Sequence, residues 1–404
     1  MGSRSQAPPD VVMVLENNTY PSDARVRLEA ESLAESGLSV EVLAPRQSGR
    51  PAREVIRGVR VTRLPLIDGR GTLAGTAVEY LAAGCVIATA VLVRLVRTRR
   101  GTLHVHNPPD FFFPLLWIAR RRGWHGVFDH HDDAAGMLRD KLGRATIVES
   151  VLAWMRAGSA RAADLTITTN DTQRELVQAD ARRVTVVRNC PPAWFADHHA
   201  SAPSARARLV FLGEIGEQDR VERTVDILAQ LVSGRGIDAE LLIVGDGPRR
   251  RAVEERAERL NVSDRVTVTG WVPYEQVPVL LASSHVGLDT APPTDVNNGS
   301  TMVKIREYLV VGLPVVATAL RETRVTGGNA IVTIEEDSAE AFVPPLVELL
   351  SSAEAWRASA DRARARGMEL LWPTQAERLL TAYRELDEID AEPETVLAPA
   401  ARGL

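Results

Sequence analysis

The sequence has almost no lysine: Lys141 and Lys304 are the only two among 404 residues, and arginine supplies the rest of the positive charge. Against that background the compact ammonium group of Lys304 marks its position as one of interest. Acidic residues outnumber basic ones, 53 to 48, so no basic excess is available to neutralise a nucleic-acid backbone. The composition therefore argues against a nucleic-acid partner.

Cysteine and long apolar runs are also scarce. Cys85 and Cys190 stand in apolar or strand-end contexts without metal-ligand spacing, which predicts reduced thiols. The start of the chain has no signal pattern, so we expect a cytoplasmic location. The longest uncharged apolar run, residues 80–93, is shorter than the roughly 20 residues that span a bilayer. It predicts a buried helix, and the arginine-rich residues 94–100 leave peripheral contact with the inner membrane face open.

The apolar pattern alternates between strands and helices in both halves of the chain. In the first half it predicts strands at 10–15, 39–44, 59–64, 102–106, 126–131, 163–168 and 183–188, with helices at 25–36, 76–98, 111–122 and 146–162. After an Ala/Ser/Pro-rich segment, 200–207, it predicts strands at 208–213, 239–245, 265–270, 285–290, 314–318 and 330–334. Continuous apolar strands separated by helices indicate parallel sheets covered on both faces.

We therefore predict an α/β fold with two Rossmann-like doubly wound domains facing a cleft. The predicted divisions are 1–199, 200–371, a closing amphipathic helix at 372–389, and a disordered tail at 390–404. Ligands of such sheets bind beyond the carboxyl ends of the strands, where polar and glycine residues collect in this sequence. These residues are Asn17, Asn18, His106, Asn107, His131, Asp132, Gly213, Gly245, Gly247, Gly270, Asn298 and Gly299.

The stretch 298–317 combines a polar loop, a helix that carries Lys304 and Glu307, and a Gly-Leu-Pro break into an apolar strand. The first helical turn leaves backbone N–H groups free at the positive end of the helix dipole, which favours an anion such as a nucleotide phosphate. Lys304 and Glu307 share a helix face, so a cation near the phosphates precedes a carboxylate that suits the two hydroxyl donors of ribose. The alternative is an ordinary helix start with both side chains solvated.

The order of these motifs resembles glycosyltransferase family 4, the retaining sugar-nucleotide transferases of the GT-B fold, over roughly residues 10–385. The matching stretches are DARVRLEAESLAESGLSVEVLAP from residue 23, VFDHHD at 127–132, VVRNCP at 186–191, LLIVGDGPRR at 241–250, VTVTGWVP at 266–273, and 298–317. Trp372, Ala376 and Leu379 match the family's closing helix, which crosses back onto the first domain.

The resemblance implies a role for individual residues. Glu307 would bind the donor ribose, His131 would contact the donor sugar, and these two are the expected catalytic residues. Donor binding would further involve Gly213, Arg220, Gly245, Trp271, Val272, Asn298, Gly299, Ser300, Thr301, Met302, Val303 and Lys304. The first domain would bind the acceptor, with Asn17, Asn18, Tyr20, Arg25, His106, Asn107 and Asp132 on its cleft side.

The chain departs from the family at the donor sugar and diphosphate. The first of the family's two glutamates falls on Gly299, and Glu214 and Asp219 stand where the family has arginine and lysine. Two carboxylates near a diphosphate would repel it if they were desolvated. The cations left to oppose this repulsion are Arg25, Arg220 and Lys304, and Asn298, Ser300 and Thr301 offer neutral hydrogen bonds.

We predict a retaining, metal-independent, hexosyl-type transferase without a prosthetic group, whose co-substrate is a nucleoside diphosphate sugar. Its hydroxyl acceptor is a glycan, a lipid-linked molecule or a small molecule. The departures keep two alternatives open: a non-catalytic or partner-dependent relative that binds a nucleotide or glycan, and a sugar-nucleotide epimerase on the same fold. A nicotinamide oxidoreductase is disfavoured, because no G-x-G-x-x-G follows the first strand.

Overall fold

The computed structural model describes residues 8–66, 73–142, 146–203 and 206–389. The strands of its first half are β1 (Val11–Val14), β2 (Val40–Pro45), β3 (Arg53–Ile56), β4 (Val59–Leu64), β5 (Thr102–His106), β6 (His125–His130), β7 (Leu165–Thr168) and β8 (Val184–Val186). The helices of this half are α1 (Ala24–Glu35), α2 (Leu73–Arg97), α3 (Phe113–Arg121), α4 (Ala134–Leu142), α5 (Ile147–Ala162) and α6 (Asp171–Val177).

The second half contains β9 (Ala207–Leu212), β10 (Ala239–Val244), β11 (Val266–Val268), β12 (Val286–Asp289), β13 (Val315–Thr318) and β14 (Val332–Ile334). Its helices are α7 (Glu222–Ala229), α8 (Arg250–Arg259), α9 (Val277–Ala282), α10 (Asp295–Gly299), α11 (Val303–Val310), α12 (Arg321–Gly327), α13 (Val343–Ser351) and α14 (Ala353–Met368). The closing helix is α15 (Trp372–Ile389).

Both sheets are doubly wound, as predicted. The strand orders are β3-β4-β2-β1-β5-β6-β7-β8 in the first sheet and β11-β10-β9-β12-β13-β14 in the second. Every pairing is parallel except that of β3 with β4. The strand order reverses direction between β1 and β5 and between β9 and β12, and ligands of this fold bind beside such switch points.

The sequence pattern did not predict the hairpin of β3 and β4. The two residues that join these strands, Arg57 and Gly58, both have positive φ, 47° and 82°. Such a two-residue turn matches the twist of antiparallel strands. Strand β3 alternates between exposed and half-buried residues, so it lacks the continuous apolar run that marked the other strands.

Helix α15 crosses back onto the first domain, as the resemblance implied. Trp372, Leu379 and Tyr383 pack in the same apolar cluster as β1 and α1. The Trp372 Nε1–H donates to Ser32 Oγ at 2.9 Å. Phe195, which the predicted division assigns to the first domain, packs against the second sheet instead.

Helix α2 buries one face, with Ala83, Ile87, Val91 and Leu95 spaced four residues apart. The prediction of a buried helix is therefore confirmed for that face only, because Leu81 on the other side is exposed. Among the helices described, none combines the length and the apolar character that crossing a bilayer requires. The predicted disordered tail, 390–404, lies outside the described residues.

Candidate active site

Glu307 lies on α11 and is buried. Its Oε1 accepts a 2.8 Å hydrogen bond from the hydroxyl of Tyr274. Burial raises the pKa of the Glu307 carboxyl to about 7, while the Tyr274 hydrogen bond and the charge of Lys304 act in the opposite direction. In the described part of the chain, no side chain caps the N-terminus of α11 at Met302. The first turn of α11, which starts at Val303, is therefore suited to an anion.

Lys304 is also buried, so the reading of two solvated side chains was wrong. Its ammonium contacts Asp219 Oδ1, lies 3.6 Å from Asp289 Oδ1, and lies 4.3 Å from the centre of the Phe211 ring. Burial alone would lower the pKa of Lys304, but the two carboxylates raise it above its ordinary value. The lysine thus stays charged and already compensates Asp219, the carboxylate that the sequence placed against the diphosphate.

Glycine loops at the ends of β9 and β10 approach closely beside Lys304. Gly245 has φ of 146°, and a Cβ there would lie 1.9 Å from the carbonyl oxygen of Gly213. A Cβ on Gly213 would in turn lie 3.4 Å from Lys304 Cε. Gly245 therefore requires glycine for the loops to meet, and Gly213, with φ of 141°, adopts a backbone conformation that favours glycine. Trp271, directly after Gly270, is 72% exposed, so its ring is free to cover a ligand.

The loop from α10 to α11 is hydrogen-bonded to the first domain. Asn170 Nδ2, which follows β7, donates to the carbonyl of Gly299 at 2.9 Å and to Thr301 Oγ1 at 3.1 Å. A Cβ on Gly299 would lie 3.4 Å from Thr172 Cγ2. The position that carries a glutamate in the resembled family is therefore packed against the first domain.

Asn298 and Ser300, on either side of Gly299, are bonded within the second domain. Asn298 Nδ2 donates to the carbonyl of Thr294 at 3.0 Å, and Asn298 Oδ1 accepts from the backbone N–H of Arg321 at 3.0 Å. Ser300 Oγ donates to the carbonyl of Val296 at 2.8 Å. These groups shape the loop, and a donor sugar would have to compete for them.

Across the cleft, His131 follows β6. Its Nε2 lies 2.8 Å from Asp129 Oδ2. The side chain of Asn107, itself buried, accepts a hydrogen bond from the backbone N–H of His131 and donates to the Asp132 carbonyl at 2.8 Å. His106 is buried beside them, with Nδ1 3.2 Å from the same Asp129 oxygen. The structure therefore brings the predicted residues His106, Asn107, His131 and Asp132 together.

Asp129, which sequence reasoning did not single out, is the centre of this group. Arg25 donates to it from Nε at 2.9 Å and from Nη2 at 2.8 Å. Burial opposes its charged form, yet Arg25 and His131 hold the pKa of Asp129 well below its usual range. One carboxylate inside the apolar strand 126–131, directly before two histidines, was the signal that could have identified it.

Two residues predicted on the cleft side do not line it. Tyr20 is fully buried in the first-domain core, because its ring packs among the side chains of β1 and α1. Arg25 is buried between Asp129 and Glu29, so it is not a free cation for a diphosphate. Asn17 and Asn18 are exposed on the loop after β1.

Arg220 and Glu214 lie apart from the Lys304 contacts. Arg220, with φ of 49°, donates from Nη1 to Asp337 Oδ2 at 2.8 Å, and its side chain is 44% exposed. Glu214 is exposed on the loop after β9. Of the carboxylates that departed from the family pattern, only Asp219 contacts the lysine.

Four buried side chains, Glu29, His104, His106 and Asp129, offer ligand atoms within 4.8 Å of one another. A metal ion does not fit among them, because Arg25 Nη2 already lies 3.0 Å from Glu29 and 2.8 Å from Asp129. A divalent ion would face this guanidinium at close range. Arg25 thus supplies the positive charge that compensates Glu29 and Asp129.

A cavity of about 210 Å³ lies between the domains, enclosed by α4, α6 and α10. Its lining includes Asp132, Asp133, Thr172, Gln173, Asp295 and Ser300. Arg156 neutralises Asp133 at 2.5 Å, whereas Asp132 and Asp295 are exposed. The cavity adjoins Gly299 and therefore lies beside the predicted donor-sugar position.

Comparison with known proteins gives a family for each half of the chain. Residues 22–190 match the model described as "Glycosyl transferase 4-like domain", and residues 206–352 match "Glycosyl transferases group 1". The chain belongs to the GT4-like glycosyltransferases. The two matches contain the principal site residues: His131 lies in the first, and Lys304 and Glu307 lie in the second.

The relatives of this GT4-like glycosyltransferase include enzymes from Streptomyces. The 2-deoxystreptamine N-acetyl-D-glucosaminyltransferase of Streptomyces fradiae is 25% identical over 75% of each chain. The 2-deoxystreptamine glucosyltransferase of Streptomyces kanamyceticus is 28% identical over 71% of this chain and 78% of that one. These matches favour a sugar-transferring enzyme over the non-catalytic and epimerase alternatives.

Solved structures support the GT-B fold. Sucrose-phosphate synthase of Thermosynechococcus elongatus superposes with a TM-score of 0.74 over 94% of this chain and 99% of that one, at 16% sequence identity. At that identity the likeness concerns the fold. It confirms two Rossmann-like domains for this GT4-like glycosyltransferase.

Proposed function

We propose that this glycosyltransferase moves a hexosyl unit from a nucleoside diphosphate sugar to a hydroxyl acceptor, with retention of configuration and without a metal ion. The observation that carries the proposal is the buried Glu307 one turn beyond the uncapped N-terminus of α11. Free N–H groups at that terminus bind a diphosphate, and the carboxylate beyond them accepts from the ribose hydroxyls. Exposed Trp271 and the adjacent Val272 then cover the base.

The diphosphate meets a site whose charges are already balanced. Lys304 is shared between Asp219 and Asp289, so it contributes little net positive charge before the donor binds. The backbone N–H groups of α11 therefore carry most of the attraction. Arg220 is the cation that remains free to move, because an ion pair as exposed as the one it makes with Asp337 contributes about 1 kcal/mol or less.

Transfer proceeds by front-face attack. The bond between the anomeric carbon and the diphosphate oxygen breaks, the acceptor oxygen bonds to that carbon on the same face, and the acceptor proton passes to the departing diphosphate. This route needs no protein base, but it needs donors aimed at the charge that develops on the leaving group. The first turn of α11 supplies these donors, and His131 contacts the donor sugar from the opposite domain.

We propose an aminocyclitol or related amine-bearing polyol as the acceptor. The two Streptomyces relatives compared above carry 2-deoxystreptamine in their names and differ in the sugar, which points to a common acceptor class. The interdomain cavity supports the same choice, since the carboxylates of Asp132 and Asp295 suit ammonium groups. Its volume of about 210 Å³ also suits a single small ring.

The proposal is tested by incubating the enzyme with UDP-, GDP-, ADP- and TDP-hexoses, each with 2-deoxystreptamine or with the neutral cyclitol myo-inositol. Mass spectrometry should show an acceptor one hexosyl unit heavier with one donor, with and without EDTA, and NMR should show the donor's anomeric configuration in the product. Nucleotide binding without turnover would support the binding relative instead. Release of an epimerised sugar without an acceptor would support the epimerase.

A further inference from the structure

We infer that Asp129 is a positioning residue for His131, and that Arg25 holds Asp129 for this purpose. The inference deepens the proposed function and rests on it for the identity of the ligand that His131 meets. It starts from one oxygen atom, Asp129 Oδ2. Three nitrogens converge on that atom: Arg25 Nε at 2.9 Å, His131 Nε2 at 2.8 Å and His106 Nδ1 at 3.2 Å.

This convergence determines which nitrogen of His131 carries the proton. An ionised carboxylate only accepts hydrogen bonds, so His131 Nε2 and His106 Nδ1 must both be protonated to bond to it. The two nitrogens are 3.2 Å apart because they share an acceptor, and two donors do not bond to each other. Neutral His131 therefore has its unprotonated nitrogen at Nδ1, where the ring can accept a hydrogen bond from a substrate hydroxyl.

Its other hydrogen bonds fix the orientation of the Asp129 carboxylate. Arg25 donates hydrogen bonds to both carboxylate oxygens of Asp129. Arg25 is itself held in place, because its Nη1 donates to the Val187 carbonyl at 2.7 Å and to Asn189 Oδ1 at 2.8 Å. The Asp129 side chain is fully buried and that of Arg25 is 5% exposed. A series of hydrogen bonds thus connects the segment after β8, through Arg25 and Asp129, to His131. The side chain of His131 is still 13% exposed at the cleft.

We assign His131 Nδ1 as an acceptor for a hydroxyl of the donor sugar. A histidine in the opposite tautomer would present N–H and repel the hydroxyl hydrogen in that orientation. Asp129 acts only through His131, since it has no exposed surface with which to touch a substrate. The same geometry explains why the first domain keeps a charged arginine buried beneath its cleft.

The first test needs no variant. Nitrogen-15 spectra of histidine-labelled wild-type enzyme at pH 8.5 report which ring nitrogen carries the proton, and the His131→Gln variant assigns the signal. We expect Nε2–H. A His131 signal in the Nδ1–H tautomer would overturn the inference, whether or not any transfer activity has been found.

The second test replaces Asp129 by Asn. The amide has one acceptor oxygen and no negative charge, so it favours the Nε2–H form of His131 less than the carboxylate does and shifts the ring toward Nδ1–H. We expect kcat to fall about tenfold or more, as for other histidines held in the wrong tautomer, with donor KM nearly unchanged. Arg25→Lys keeps the positive charge but loses the guanidinium that donates to both Asp129 oxygens. This variant should therefore show a smaller fall in kcat, again with donor KM nearly unchanged.

The matched control is Glu41→Gln. Glu41 is also held at two points by a first-domain arginine, Arg94, at 2.5 and 2.9 Å, but it does not contact His131. It should leave the His131 signal and kcat unchanged. An Asp129→Asn enzyme with wild-type tautomer and wild-type kcat, or one whose loss of kcat Glu41→Gln reproduces, would show that Asp129 is only structural.

Discussion

The two domains each bury a charge cluster near the carboxyl ends of their strands, but the central carboxylates of these clusters, Asp129 and Glu307, differ in how many hydrogen bonds they accept. In the first domain, Arg25 bonds to both oxygens of Asp129 and to two further acceptors. In the second domain, Glu307 has a hydrogen bond at Oε1 from Tyr274, and α11 begins without a side-chain cap in the described structure. The cluster around Asp129 therefore holds a side chain in place, and the one around Glu307 is suited to binding a ligand.

The largest effect should come from breaking the cluster around Asp129. Arg25→Met leaves the buried Asp129 without its cation and should lower the free energy of unfolding by about 3–5 kcal/mol. Urea denaturation measures the change. The loss should shrink at low pH, where Asp129 can take up a proton. A change as small as that of an exposed ion pair would contradict the view that Arg25 compensates the buried charge of Asp129.

Removing the carboxylate of the second cluster should affect the ligand more than the fold. Glu307→Gln replaces a charge-assisted bond to ribose by a neutral one, and should weaken nucleoside diphosphate binding by about 1.5–3 kcal/mol. Calorimetry gives the affinity, and urea denaturation should show little loss of stability because the buried carboxylate has a raised pKa. A variant with wild-type affinity would remove Glu307 from the ribose site.

The pH dependence of donor binding gives the next largest effect. Since the pKa of Glu307 is raised to about 7, most of the carboxyl is neutral at pH 6 and ionised at pH 8. Donor affinity should therefore rise about tenfold between these values, or about 1.4 kcal/mol. Glu307→Gln should lose this dependence and keep only that of the nucleotide's own phosphates.

The stability of the free enzyme should change in the opposite direction. Glu307 keeps its proton in the folded state up to about pH 7, whereas its ordinary pKa is 4.5. The folded state thus binds more protons between these values, and the contribution of Glu307 to stability declines as the pH rises through this window. Comparing unfolding of the wild type and Glu307→Gln across pH isolates this contribution, which should be absent from the variant.

The smallest effect should come from an exposed contact between the domains. Arg321 donates to both oxygens of Glu175, at 3.0 and 2.6 Å, but about half of each side chain is exposed. Because water and salt screen such a pair, Arg321→Ala should leave the unfolding midpoint and donor affinity nearly unchanged. A loss comparable to that of Glu307→Gln would mean that interdomain contact, rather than the cluster at α11, governs donor binding.

The sequence predicted most of the framework, for a local physical reason. The strands at 59–64 and 102–106 have the predicted bounds, since short segments rich in Val and Thr between polar loops identify strands. The same reasoning found the helix with Lys304 and Glu307. It missed β3, whose exposed alternation carries little apolar signal, and α6, whose seven residues are too few to show a clear period. It also assigned no helix where the structure has α4, α12, α13 and α14.

The sequence by itself thus determined two doubly wound domains, the glycine loops beyond their strands, and the helix that presents Lys304 and Glu307. Local periodicity and strand-end chemistry are sufficient for these features. Only the tertiary structure decided which charges face each other: Arg25 meets Asp129 rather than a diphosphate, and Lys304 meets Asp219. Those partners lie 104 and 85 residues apart, so burial and approach in three dimensions set them, and no local pattern records them.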